Sequence, residues 1–195
     1  DVLTLLDYLI RGLSLGSVYA IIALGYTMVY GIAKMLNFAH GDVIMVGAYV
    51  CFFAMTGLSP MFEAGSMAAA VVPMAVCTVL GVVIEGLAYK PLRQAPSLAV
   101  LITAIGVSYF LQNSALILWS SSPKIFSPIV GSGSQKIGPL TISHVTLVTI
   151  AACVVIMLAL TAFTGRTKMG KAMRAVSEDK GAAQLMGINV NRTIS

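Results

Sequence analysis

The residues best equipped for chemistry fall in two short polar blocks. The first is Lys34-Met35-Leu36-Asn37-Phe38-Ala39-His40-Gly41-Asp42, which gathers an amide, an imidazole and a carboxylate beside a flexible glycine. It lies between two hydrophobic segments, where polar groups must be satisfied by protein or face a water-filled path. A broken helix there could offer backbone groups to a zwitterionic solute. The same residues also suit an ordinary turn, with Asn37 as a cap and Gly41 as a helix breaker. Composition leaves both readings open. The second block is 166–192, in which Arg166, Lys168, Lys171, Arg174, Glu178, Asp179, Lys180 and Arg192 alternate with Met169, Met173, Val176, Leu185 and Met186. Ser177 can cap a short helix with Glu178 and Asp179 in its first turn. Asp179, Ala182, Ala183 and Met186 then share one face, and Gly187 is placed to end the helix. Such a helix can dock into a groove on a partner. A solvated loop or a membrane-surface helix is the plainer alternative.

Two other places depart from apolar filler. Glu85-Gly86-Leu87-Ala88-Tyr89-Lys90-Pro91-Leu92-Arg93 reads as a basic connector in which Pro91 stops a helix and Glu85 pairs with Lys90 or Arg93. The segment 123–143 repeats Ser, Gly and Pro and reads as a flexible loop, with His144 an interfacial residue at its end. Catalysis finds little support. There is no phosphate-cradling Gly-Lys-Ser/Thr loop, no nucleophile–base pair and no metal-ligand spacing between the two histidines. No metal and no cofactor is expected. Cys51, Cys77 and Cys153 are odd in number and fall in apolar stretches, so they read as reduced, packed thiols.

The elements that must carry these blocks follow from where charge is absent. Only 10% of the 195 residues are charged and 58% are hydrophobic, against about 25% charged in a soluble domain. That excludes a water-soluble globule and a disordered chain alike. A helix needs about 20 apolar residues to cross the bilayer. Charge-free windows place spans near 12–33, 43–62, 64–84, 96–119 and 144–165. The expected fold is all-α: a polytopic membrane protein of about five transmembrane helices, in one domain over 1–195, with a short cytoplasmic helix in the 166–192 loop. Gly12, Gly16, Ala20 and Ala23 make a smooth stripe on the first helix for close helix contact, and Pro73 is expected to bend the third. Placing 166–195 inside puts Lys34, Lys90, Arg93, Arg166, Lys168, Lys171, Arg174, Lys180 and Arg192 inside, and only Arg11, Lys124 and Lys136 outside. The positive-inside bias therefore favours an external N-terminus and an external loop at 120–143. The net charge of +5 is this bias and no sign of nucleic-acid binding. The start at Asp1 and the end just after a basic stretch lead us to expect a fragment of a longer subunit.

The run GSVYAIIALGYTMVYGIAKMLNFAHGDVIMVGAYV (16–50) resembles the N-terminal signature of branched-chain amino acid ABC transporter permeases of the LivH type. YKPLR (89–93), LITAIGVSYFLQN (101–113) and GRTKMGKAMRAVSEDKGAAQLMGINVNR (165–192) are similar to the same family in the same order. The resemblance implies the membrane-spanning part of an importer of leucine, isoleucine and valine in the bacterial inner membrane. It implies a second related permease as heterodimer partner, two cytoplasmic ATPases that bind the ATP, and a periplasmic substrate-binding protein. Arg174, Asp179, Ala182, Ala183, Gly187 and Ile188 match the family's ATPase-coupling loop. Asn37, Phe38, His40, Gly41 and Asp42 match the signature near the translocation path. Members continue with further spans beyond the coupling loop. A urea or short-amide permease shares these motifs, and a secondary transporter is the rival from another class.

Overall fold

The computed structural model describes residues 2–57, 68–126, 133–137 and 140–195. The segment 58–67, where only Glu63 separates the expected second and third spans, lies outside the described residues, as do 127–132 and 138–139 of the Ser-, Gly- and Pro-rich segment. Among the described residues, five helical stretches are long and apolar enough to cross a membrane, the third of them over Ala70–Leu92. They are built on α1 (Val2–Ala33), α2 (His40–Gly57), α3 (Ala68–Ile84) with the turns that follow it, α4 (Ser97–Trp119) and α5 (His144–Arg166). Three short helices follow: α6 (Lys168–Glu178), α7 (Lys180–Leu185) and α8 (Val190–Ile194). A hairpin of β1 (Ser134–Ile137) and β2 (Leu140–Ser143) precedes α5, with Ser134 opposite Ser143 and Ile137 opposite Leu140. The segment 123–143, expected as a flexible loop, thus carries a short antiparallel hairpin.

Why these stretches are helical in lipid is visible in their hydroxyls. Ser17, Thr27, Thr78, Thr103, Thr149 and Thr164 each donate to the carbonyl four residues earlier. A hydroxyl that bonds back onto its own helix needs no water and no partner helix. Their outer faces carry large apolar side chains: Ile117 is 83% exposed, and Val71, Val79 and Val82 are exposed as well. In water such a surface would aggregate; in hydrocarbon it is the solvent-facing side.

The chain forms two compact units. One is built from Asp1–Lys34 and Val130–Ile194, the other from Met35–Ile129 together with Ser195. In the first, α1 packs along α5, and α6 packs beneath both. Ser17 and Cys153 are buried where α1 meets α5, and the Cys153 thiol donates to the Ser17 carbonyl at 3.3 Å. The small-residue stripe is elsewhere: Gly12, Gly16, Ala20 and Ala23 are exposed, and a Cβ at Gly12 or Gly16 would meet nothing within 4 Å.

In the second unit the core is Ala39, Ile84, Tyr89, Val100, Ala104 and Leu111. Val100, Ala104, Leu111 and Ala115 recur at helical spacing, so α4 turns one continuous face inward. The helical run that begins with α3 ends one residue past Pro91, as that proline led us to expect. It passes through a π-helical turn at Glu85–Tyr89 and a tight turn at Lys90–Leu92, and Arg93 folds back to pair with Glu85. Of the two expected partners for Glu85, Arg93 is the one engaged. Pro73 sits inside α3 and withholds one backbone donor there. Helices α2 and α3 meet at Gly47, where a Cβ would come within 2.7 Å of the Cys77 sulfur. Cys77 also reaches the Val43 carbonyl, one turn away, at 3.6 Å. Gly47→Ala alone is therefore expected to cost about 1–3 kcal/mol through overpacking. Adding Cys77→Ala removes the obstructing sulfur and should restore most of the loss; melting in detergent of both variants checks this.

Candidate functional site

The first polar block is a connector that feeds a helix, and the helix begins at its histidine. Asn37 accepts the Ala39 amide at 3.0 Å through its side chain and the His40 amide at 3.3 Å through its carbonyl. This closes a turn, after which His40, Gly41 and Asp42 form the first turn of α2. Gly41 thus lies within a helix and breaks none. The Asn37 side-chain oxygen also accepts the Tyr89 hydroxyl at 2.9 Å. That bond pins the connector to the π turn after α3, with Ala39 fully buried beneath it.

Asp42 is only 8% exposed, and Gln112 of α4 donates to its Oδ1 at 3.0 Å. Seven residues further along both helices, Tyr49 stacks on Trp119 with ring centroids 4.6 Å apart. Equal steps from Asp42 to Tyr49 and from Gln112 to Trp119 mean that α2 and α4 run parallel in fixed register. Gln112 lies about 22 Å along α4 from Ser97 at 1.5 Å per residue. The start of α2 is therefore deep alongside α4, and the connector runs beside the earlier part of that helix. Of the five residues assigned to a pathway, Asn37 and Asp42 point into this packed unit. Phe38 and Gly41 are exposed, and His40 is half-buried. Sequence reasoning missed Gln112 and the role of Tyr89. An amide inside the charge-free window 94–123 was the available signal, since such a group needs a partner in lipid.

The second polar block is three helices rather than one. Thr167 caps α6 by accepting the Gly170 amide at 2.9 Å, while its hydroxyl donates to the Phe163 carbonyl at 2.6 Å. Ser177 and Glu178 end α6, and the cap of the next helix is Asp179, which accepts the Gly181 and Ala182 amides at 2.7 and 3.1 Å. This corrects Ser177 as the cap. Aspartate prevails because its carboxylate can take two amides at once at the positive end of α7. Gly187 adopts φ +82°. Its amide bonds the Gln184 carbonyl and the Ile188 amide bonds the Ala183 carbonyl, each at 3.0 Å, a Schellman ending that favours glycine. The expected common face divides. Ala183 is buried, whereas Asp179, Ala182 and Met186 are exposed, because Ala183 faces the unit's interior while Leu185 and Met186 stand out at 91% and 82% exposure. Ile188 is half-buried. Arg174 reaches the Gly165 carbonyl near the end of α5 at 3.2 Å. Among the described residues, no group of three or more His, Cys, Asp or Glu is placed to hold a metal ion.

Five apolar helices joined to short amphipathic helices define a multi-pass, all-α membrane protein. Within that class the chain belongs to the family described as branched-chain amino acid transport system / permease component, which matches residues 8–195. It is 38% identical over 201 residues to the high-affinity branched-chain amino acid transport system permease protein BraD of Pseudomonas aeruginosa, covering 97% of this chain and 64% of BraD. It is 40% identical over 199 residues to the corresponding permease protein LivH of Escherichia coli, with the same coverage of both chains. A probable branched-chain amino acid transport permease protein of Methanocaldococcus jannaschii is 28% identical over 187 residues, covering 89% of this chain and 55% of that protein. The chain thus spans less than two thirds of the length of these relatives. No solved structure matches it significantly.

Proposed function

We propose that this chain serves as the membrane-spanning permease part of an ATP-driven importer of branched-chain amino acids in the bacterial inner membrane. It works with a second related permease, two cytoplasmic ATPases and a periplasmic binding protein. The chain holds no ATP and does no covalent chemistry; nucleotide is bound and hydrolysed on the ATPases. The observation that carries this reading is the α6–α7 segment. It has a doubly bonded Asp179 cap, a left-handed Gly187 ending and two large apolar side chains standing out between them. A short helix held rigid at both ends, with Leu185 and Met186 uncovered, suits insertion into a groove on a partner. Arg174 and Ala183 tie it back to the membrane helices. Movement imposed on it by the ATPase passes into α5 and α1, which alternates access to a central path. Selectivity for the amino acid rests mainly with the binding protein.

The test is ATPase capture and driven uptake by the full-length permease. A Cβ at Gly187 meets no atom within 4 Å, so Gly187→Ala adds only backbone strain of about 1 kcal/mol and should weaken ATPase binding about fivefold. Gly187→Asn, which tolerates the left-handed conformation, should bind nearly as well as the parent. Asp179→Ala, which strips the cap, is expected to weaken binding to a similar extent. Equal ATPase capture by all four proteins would refute the coupling role. Leucine uptake by proteoliposomes that persists without ATPase under a proton or sodium gradient would make the protein a secondary transporter instead.

A further inference from the structure

Helix α1 ends with the Lys34 amide on the Tyr30 carbonyl at 2.9 Å, which leaves the later carbonyls to other donors. Its last turn carries no basic side chain, although the end of a helix leaves carbonyls without backbone donors and a partial negative charge. Ala33, the last helical residue, is buried at 7% exposure, where an unmet carbonyl is costly. The donor comes from far along the chain: the Lys180 ammonium bonds the Ala33 carbonyl at 3.1 Å, across 147 residues. Lys180 is the first residue of α7, next to the Asp179 cap.

The peptide held in this way is a special one. Lys34, which follows, has φ +56°, a left-handed backbone that a lysine adopts at a cost of about 1–2 kcal/mol. The chain turns there from α1 into 35–39 and then into α2. The Ala33 carbonyl is part of the Ala33–Lys34 peptide plane, the last before this turn. Thus one cation on the α6–α7 segment grips the peptide at which α1 ends and the chain turns.

We propose that Lys180 is a positioning residue that ties the α6–α7 segment to the junction where α1 hands the chain to the 34–42 connector. The proposal rests on the importer reading, in which α6–α7 is the ATPase-facing segment. Lys180 is not among the residues that the family resemblance marks for coupling. Its contact gives movement of α7 a direct route to the connector, separate from the one through Arg174 and the end of α5. A lysine suits this grip because its long stem spans the gap while a compact charge meets a single carbonyl oxygen.

The test uses the complete transporter in proteoliposomes, with leucine uptake and ATP hydrolysis measured together. Lys180→Met keeps the apolar stem and removes the donor. It is expected to assemble with the ATPases and to lower leucine imported per ATP about tenfold, the scale of one charge-assisted hydrogen bond. Lys180→Arg restores the donor and should return the ratio to within about twofold of the parent. An unchanged ratio in Lys180→Met overturns the proposal, as does a loss that Lys180→Arg fails to rescue. Should Lys180→Met not assemble, hydrogen exchange on the unmutated transporter decides. On adding a non-hydrolysable ATP analogue, the amides of 181–187 and of 34–36 should change protection together. A change confined to 181–187 overturns the proposal. No change in either segment, or a parent whose uptake ignores ATP, refutes the importer reading and takes this proposal down with it.

Discussion

Gly170→Ala is expected to lower stability by about 2–4 kcal/mol, and Gly170→Val to prevent α6 from docking at all. The reason is geometric. A Cβ at Gly170 would lie 2.5 Å from the Phe163 carbonyl oxygen and from the Thr164 Cα, and closer still to the Thr164 carbonyl oxygen. These are backbone atoms of α5 and cannot rotate aside. The Phe163 carbonyl is also committed, since it accepts both the Thr167 amide and the Thr167 hydroxyl. Relief therefore requires α6 to lift off α5, which uncovers Val176, now 1% exposed. Gly165→Ala is the control. It directly follows Thr164 on α5, is exposed, and its Cβ would meet nothing within 4 Å. In a helix that exchange gains about 0.5–1 kcal/mol, so the two variants should shift the melting temperature in opposite directions. Thermal unfolding in detergent measures both. Equal effects would mean that α6 is not seated on α5 as described.

How much of this was readable in the sequence depends on the kind of force involved. Lipid excludes charge so strongly that windows without Asp, Glu, Lys or Arg marked all five long helices. Their starts were harder to read. The charge-free window placed the first span from 12, whereas α1 begins at Val2, because Asp7 and Arg11 pair with each other at 2.8 Å one turn apart and let the helix run through them. The window likewise began the second span at 43, three residues after α2 starts, since Asp42 is charged yet buried against Gln112. Close contacts were least legible. A regular stripe of small residues drew attention to Gly12 and Gly16, where an added Cβ would meet nothing within 4 Å. Within the helices, the tight contacts among the described residues belong to isolated glycines, Gly47 and Gly170, whose importance depends on which atom stands opposite. The same holds for polar partners. Asn37 and Tyr89 are 52 positions apart, and Asp42 and Gln112 are 70 apart; no local pattern joins them. The motifs of the family resemblance contain both members of each pair, in separate stretches, and the structure is what joins them.

Gln112→Leu is expected to destabilise the α2–α4 pairing by about 2–3 kcal/mol, since it leaves the buried Asp42 carboxyl without its amide donor. The identity of the lost group matters less than the orphan it creates. Asp42→Asn in the same background should bring part of the stability back, because an unmet amide costs less than an unmet carboxylate. Asp42→Leu with Gln112→Leu should recover more, with an interaction term of about 1–2 kcal/mol in the double-mutant cycle. A reporter for the geometry is built in. Trp119 is the sole tryptophan of the chain, and it stacks on Tyr49 two turns beyond the Asp42–Gln112 bond. If that bond sets the register of α2 on α4, Gln112→Leu must alter the emission of Trp119 from two helical turns away, and the double apolar variant must return it toward the parent. A Trp119 spectrum indifferent to Gln112→Leu would mean that ring stacking and the Val100–Ala104–Leu111 face hold the helices alone. The depth of Asp42 beside α4 would then be a consequence of packing rather than its cause.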